Sequence, residues 1–257
     1  MAPPRLPLAL EAPVLIRVDG RDLSLLLCTA LSLEDLALGH LVGKGLLKDR
    51  ESLLSLHICE DRSRVDIERA GGPPLPEGDP ALIGSACGSG LLPAELFGLV
   101  AREPLSPGTD PRATAAHPST PLFSLRELAA RAHEMFAAAS MHRDSGGMHC
   151  AALASCERDI PTIVREDVGR HNAIDKVLGR GLLEGRDFSR SAILTSGRIA
   201  ADMVAKAIHA GVPLLASRSI PTTAAFELAS TYGLALVGRI ASREALIYCG
   251  AELLSDG

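Results

Sequence analysis

The stretch from residue 192 to 248 constrains the fold most. Ala192-Ile193-Leu194-Thr195 reads as a short buried strand, and Arg198 to Ala210 as a helix stopped by Gly211. Val212-Pro213-Leu214-Leu215-Ala216 is the next strand, and Pro221 suits the first turn of a second helix that runs to about Thr231. Leu234 to Val237 and Ala245 to Tyr248 close the series as strands. Strands that alternate with helices predict a sheet that is at least partly parallel, because a helix carries the chain back between parallel neighbours.

The same unit extends upstream. Ser124 and Glu127 form a capping-box pattern, after which Leu125, Leu128, Ala129, Ala132, Phe136 and Ala139 recur at helical spacing. Gly146-Gly147 breaks the chain, two strands follow near 148–155 and 161–165, and a helix spans about 170–179. Residues 121–257 are therefore expected to form a three-layer α/β domain. Residues 1–83 read as a smaller α+β unit. It has strands at 14–18 and 23–28 joined by Asp19-Gly20, a helix from Glu34 to Leu47, strands near 54–59 and 64–68, and a closing Gly/Pro-rich run at 71–76. The helix carries glycines at 39, 43 and 45, which either lower its stability or serve close packing, and the sequence leaves both open. Residues 84–120, rich in Gly, Pro, Ser and Thr, read as a connector or mobile loop.

A net charge of −5, aromatics at 3% and the lack of Trp argue against nucleic-acid binding, which favours a basic face and stacking rings. No apolar run reaches the length of a membrane span, and no signal peptide is read, so no membrane association is expected. Six cysteines in such a chain predict reduced thiols and a cytoplasmic location rather than a disulfide framework.

Five segments carry residues suited to chemistry. Cys87 lies in Gly84-Ser85-Ala86-Cys87-Gly88-Ser89-Gly90, where glycines and small neighbours suit an exposed thiol that visits two partners; a small apolar loop residue fits equally. Two strand-to-helix turns, Ser196-Gly197-Arg198 and Ser217-Arg218-Ser219, are expected at one edge of the sheet, each offering hydroxyls, an arginine and free backbone N–H groups at a helix start, a combination that attracts a phosphate. In Arg165-Glu166-Asp167-Val168-Gly169-Arg170-His171-Asn172-Ala173-Ile174-Asp175-Lys176, the polar residues make either a solvated helix start or a ligand-reading surface with His171, Asn172 and Lys176 as donors. Gly146-Gly147-Met148-His149-Cys150-Ala151 places Ala151 where a zinc deaminase needs its Glu, and no C-x-x-C occurs in the chain, so no metal site is expected. Cys28, Cys59, Cys156 and Cys249 lie in apolar, strand-like contexts and read as core.

Together these segments resemble the FdhD family of formate dehydrogenase accessory sulfurtransferases. The resemblance rests on Glu34-Asp35-Leu36-Ala37-Leu38-Gly39-His40, Gly146 to His149, Glu166 to Lys176, Ser196 to Lys206 and Ala216 to Ser219, and it runs from about residue 12 to 250. It implies a cytidine-deaminase-like core without its zinc site and a homodimer. It also implies a sulfur carrier that takes persulfide sulfur from a cysteine desulfurase and passes it to the molybdenum cofactor, in its bis-molybdopterin guanine dinucleotide form, for formate dehydrogenase. The family loop reads Cys-Gly-x-Cys-Gly, so the persulfide role falls on Cys87, while Gly90 replaces the second cysteine. The loss of that cysteine keeps a second reading open, a cofactor chaperone that transfers no sulfur. The family's cofactor loop falls on Arg239, Ile240, Ala241, Ser242, Arg243 and Glu244, without its usual glycine-containing composition. The cofactor's phosphates and guanine are expected near Ser196, Gly197, Arg198, Arg218 and Ser219, with His149, His171, Asn172 and Lys176 as further contacts.

Overall fold

In a computed structural model, residues 8–84, 120–242 and 244–255 are described. Cys87, Gly90 and Arg243 lie outside them, as does nearly all of the expected 84–120 connector. The fold is mixed α/β, built on two main sheets.

The first sheet has strands β1 (Ala12–Val18), β2 (Arg21–Cys28), β3 (Leu53–Ile58), β4 (Arg64–Arg69) and β5 (Ala81–Ile83), in the order β3-β4-β1-β2-β5. The β1–β2 turn is made by Asp19 and Gly20, both at positive φ, the geometry a two-residue hairpin prefers. Helix α1 (Leu33–Gly43) begins one residue before its expected start but ends at Gly43, short of the expected Leu47. The sequence pattern did not show β5, which pairs in parallel with β2 and leads to Gly84.

After β6 (Phe123–Ser124) come helices α2 (Leu125–Ala138) and α3 (Ser140–Ser145), strands β7 (His149–Ser155) and β8 (Ile163–Asp167), and α4 (Arg170–Leu183). Strand β9 (Ser191–Thr195), α5 (Ala201–Ala210), β10 (Leu214–Ser217), α6 (Thr223–Tyr232), β11 (Ala235–Gly238) and β12 (Leu246–Cys249) complete the second sheet, and β13 (Leu254–Ser255) pairs with β6. The sheet order is β12-β11-β10-β9-β7-β8; β9, β10 and β11 are parallel, while β7 and β12 run against their neighbours. Ser124 forms the expected capping box with Glu127.

The second sheet is buried on both faces, which is why its strands read as continuous apolar runs rather than alternating ones. Leu153, Ile193, Leu215 and Leu236 face α4, α5 and the first sheet in one shared apolar core. Cys150, Ala152, Leu194, Ala216 and Val237 face the other way, against Leu128, Ala132 and Met135 of α2. Among the described residues no helix is long and apolar enough to cross a membrane.

The two sheets are joined where α1 crosses α4 at paired glycines. A Cβ added to Gly39 would lie 2.7 Å from the Gly179 nitrogen, and one added to Gly179 would lie 2.7 Å from the Gly39 nitrogen, besides overlapping the Asp175 and Asp35 carbonyls. Close packing is thus the role of Gly39. Polar groups are carried into this contact with their partners. His40 bonds Ser24 Oγ through Nε2 at 3.0 Å and Asp175 through Nδ1 at 3.3 Å, Lys206 pairs with Asp175, and Arg165 Nε donates to Asp35 at 2.7 Å.

Burial pushes the His40 imidazole down to about 4, outweighing the Asp175 bond. Against the upward push of burial, Lys206 and His40 hold the Asp175 carboxyl below its ordinary range. An unfolded imidazole protonates near 6.5, so between there and about 4 the unfolded chain binds the extra proton. The His40 contribution is complete above pH 6.5 and is lost as pH falls towards 4. Urea titration is expected to show about 2 kcal/mol less stability at pH 5 than at pH 7, with a shallower slope in His40→Gln.

Candidate functional site

The C-terminal ends of β9, β10 and β11 bring three arginine-bearing loops to one edge. Hydrogen bonds stitch the loops together: Arg218 N donates to Thr195 O, Arg239 N to Ser219 O, Ile240 N to Ser217 O, and Ser217 Oγ to Gly197 O. Ile199 and Pro221 pair as a parallel bridge beyond the strands. The two loops therefore extend the sheet by a further step before either helix begins.

That extension corrects part of the sequence reading. Helix α5 starts at Ala201 rather than Arg198, and α6 starts at Thr223, capped by Thr222, so Pro221 precedes the helix. Much of the backbone expected to be free is in use: Ser196 N bonds Cys150 O, Gly197 N bonds Thr195 Oγ1, and Ser219 N bonds Ser217 Oγ. Attraction for an anion comes instead from side chains. Arg198, Arg218 and Arg239 are all exposed at this edge, and Arg218 lies over the Phe136 ring at 5.6 Å.

His149, at the start of β7, lies beside the first loop, with Nδ1 3.3 Å from Ser196 Oγ. Burial, helped by the nearby Arg170 charge, pushes its imidazole below the ordinary value and favours the neutral ring. Gly197 is close-packed here: a Cβ on it would fall 2.9 Å from Arg170 Cδ and 3.5 Å from His149 Nδ1. Arg239 holds a φ of 54°, a left-handed position that suits glycine better. Ile240 is buried, Ala241 is half-buried, and Ser242 and Glu244 are exposed, with Ser242 Oγ bonded to the Arg239 and Glu244 carbonyls.

Asn172 and Lys176 are not at this edge. Both are buried, and their donors are spent within the fold. Lys176 Nζ lies 2.6 Å from Asp167 Oδ2 and donates to the Thr29 and Glu166 carbonyls, and Asn172 Nδ2 donates to Leu27 O and Asp167 Oδ1. The polar segment 165–176 is therefore neither a solvated helix start nor, at these two residues, a ligand-reading surface. It ties β2 to the second sheet, and a buried lysine needs such partners to stay charged. His171 is buried too, beside Asp202.

Among the described cysteines, Cys28 and Cys150 are buried as strand residues, Cys156 and Cys249 are half-buried and packed against the apolar cores, and Cys59 is half-exposed and lies outside both cores. Burial pushes the Cys28 thiol up to about 12, the Cys150 thiol up to about 11, and the Cys249 thiol up as well. Such thiols are poor nucleophiles at neutral pH.

Comparison with known proteins agrees with this architecture. The FdhD/NarQ family pattern matches residues 9–255. A relative from Mycolicibacterium paratuberculosis, named sulfur carrier protein FdhD, is 33% identical over 95% of this chain and 90% of its own. One of the same name from Streptomyces coelicolor is also 33% identical, over 95% of this chain and 88% of its own. One from Methanothermobacter thermautotrophicus is 31% identical, over 94% and 89%. A crystal structure from Desulfotalea psychrophila, provisionally described as a formate dehydrogenase accessory protein, superposes with a TM-score of 0.72 at 24% identity, covering 96% of this chain and 90% of that one. At that identity the superposition speaks for the fold alone.

Proposed function

The chain belongs to the FdhD/NarQ family, and from that premise we propose that it is a sulfur carrier for formate dehydrogenase, loading persulfide sulfur on Cys87 and delivering it to a molybdenum cofactor held at the arginine edge. The observation that carries this reading is the convergence of Arg198, Arg218 and Arg239 on one sheet edge. Guanidinium forks suit the phosphates of a guanine dinucleotide, and Ser196, Ser219 and Ser242 add hydroxyls beside them.

In loading, the Cys87 thiolate attacks the outer sulfur of a cysteine desulfurase persulfide. A new S–S bond forms on Cys87, and the donor cysteine leaves as a thiolate. The cofactor is the acceptor substrate, and the edge residues bind and orient it. The six-stranded sheet, with helices on both faces, supports a cytidine-deaminase-like core over residues 121–257, with residues 1–83 as the smaller unit and 84–120 as the connector. Exposed Leu246 and Ile247 on the edge strand β12 support a homodimer. Gly90 favours one alternative, delivery of the cofactor without sulfur transfer.

The edge is tested by titrating guanosine 5′-diphosphate. Arg198→Ala and Arg218→Ala are each expected to weaken binding about tenfold, less so at high salt. Arg239→Gly is expected to weaken it similarly at no cost in stability, because glycine relieves the left-handed residue. Unchanged affinity in all three variants removes the cofactor from this edge.

A further inference from the structure

A cavity of about 320 Å³ lies between the first sheet and helices α1, α4 and α5, apart from the arginine loops. Leu23, Leu26, Leu46, Leu75, Ile83 and Ala205 give it apolar walls. Its polar side is built from α4 and α5 in register. His171 and Asp175 are one turn apart on α4, and Asp202 and Lys206 are one turn apart on α5, so His171 meets Asp202 and Asp175 meets Lys206 as two successive rungs. The second rung is complete, because Asp175 takes Lys206 on one carboxylate oxygen and His40 on the other. The first is not. His171 is 3% exposed, and neither ring nitrogen makes a hydrogen bond among the described residues. Nε2 lies 2.9 Å from Asp202 Oδ2, off the line of a good bond. A buried imidazole nitrogen left unbonded on a cavity wall costs stability, and a ligand that bonds it recovers that cost.

The lining sets the chemistry of an occupant. The Asp202 carboxylate, facing Nε2, holds the ring proton there, which leaves Nδ1 as an acceptor, so the occupant brings a donor. That donor is uncharged. The buried charges of the lining are met inside the fold: Lys206 pairs with Asp175, and Asp202 accepts from Met203 N. Charges of both signs line the rest (Arg21 and Lys44, Glu77 and Asp79), so neither an anion nor a cation meets a field that offsets its loss of water. The apolar walls suit an apolar body, and at the density of a protein interior the volume takes a molecule of about a dozen non-hydrogen atoms.

We propose that this cavity is a binding site for a small uncharged molecule with an apolar body and a hydroxyl or N–H head that donates to His171 Nδ1. The site is separate from the arginine edge, and it stands whether or not the chain carries sulfur. Its occupant touches Leu26 and Ile83 of the first sheet and Ala205 of α5 together, so occupancy holds the two sheets to each other and raises the thermal midpoint with ligand concentration.

The full-length chain is titrated with four probes of closely similar shape: 2-naphthylmethanol, 2-naphthonitrile, 2-naphthylmethylamine and 2-naphthoate. Calorimetry and the thermal midpoint give affinity, and nuclear Overhauser contacts from the naphthyl protons to the Leu26 and Ile83 methyl groups give the place. The alcohol is expected to bind tightest. The nitrile, which accepts but cannot donate, is expected to be about tenfold weaker, and the ammonium and carboxylate probes at least as much weaker. In His171→Phe the alcohol is expected to fall about tenfold, to the level of the nitrile, whose own affinity stays the same. Ala81→Trp, at an exposed position of the lining, is expected to weaken alcohol and nitrile alike about tenfold. Equal binding of alcohol and nitrile to the unaltered chain overturns the proposal. So does tighter binding of either ion, Overhauser contacts elsewhere, or no binding of any probe up to its solubility limit. The comparison on the unaltered chain and the Ala81→Trp shift decide the matter even if His171→Phe fails to fold, and each of these results leaves the carrier function untouched.

Discussion

The Cys87→Ala chain is expected to gain no sulfur when incubated with a cysteine desulfurase and cysteine, and to lower formate dehydrogenase activation at least about a hundredfold. The size of the effect follows from what the other thiols can do. A group whose pKa lies four units above the working pH is a thiolate about one time in ten thousand. Cys150 is pushed up to about 11 and Cys28 to about 12, and Cys249 is also raised, each chiefly by burial. Neither Cys28 nor Cys150 can stand in for an accessible loop thiol, and burial weakens Cys249 in the same direction. Mass spectrometry of the loaded chain, with the added sulfur mapped to its peptide, gives the first readout, and formate dehydrogenase activity in a strain carrying the variant gives the second. A Cys87→Ala chain that still activates the enzyme fully would move the function to cofactor delivery. A sulfur adduct on another cysteine would move the carrier itself.

Gly179→Ala and Gly39→Ala are each expected to cost about 4 kcal/mol or more, enough to unfold the chain at ambient temperature. At both positions the added methyl meets backbone, which cannot rotate away: the Gly39 nitrogen and Asp35 carbonyl in one case, the Gly179 nitrogen and Asp175 carbonyl in the other. The helices would have to separate, and that movement strains the His40–Asp175 bond and the Arg165–Asp35 pair together. Two other glycines make the comparison quantitative. At Gly43 the added Cβ meets Lys206 Cγ at 2.8 Å, near the root of a side chain whose ammonium is tied to Asp175, so an intermediate cost of about 2 kcal/mol is expected. At Gly147 it meets only Ala9 Cβ at an ordinary 3.7 Å, and a change within about 0.5 kcal/mol is expected. Urea denaturation midpoints of the four variants test the ranking. Equal midpoints would mean that α1 does not approach α4 as closely as the structure has it.

Much of the architecture follows from local pattern. The 192–248 alternation predicts a partly parallel sheet, because a helix carries the chain back between parallel neighbours, and β9, β10 and β11 are its parallel part. Asp19-Gly20 specified the β1–β2 turn, and Ser124 with Glu127 started α2, since both signals act within four residues. The Ser/Arg motifs likewise place Arg198 and Arg218 at a common edge of the sheet. Short strands such as β5 and β6 escaped notice, because two or three residues carry no period and depend on the partner strand to exist.

What the tertiary structure alone decided concerns burial and distance. Segment 165–176 reads as polar whether it is wet or dry; only the packing of Thr29 and Leu27 against it shows that Lys176 and Asn172 spend their donors inside. Gly39 and Gly179 lie 140 residues apart in the chain, and neither gives a local sign of the other. The cavity beside His171 is formed by β2, β5, α1, α4 and α5, elements whose sequences meet only in the fold. Periodicity records which face of an element is apolar, because that is a property of neighbours in the chain. Which polar side chain finds a partner is a property of neighbours in space.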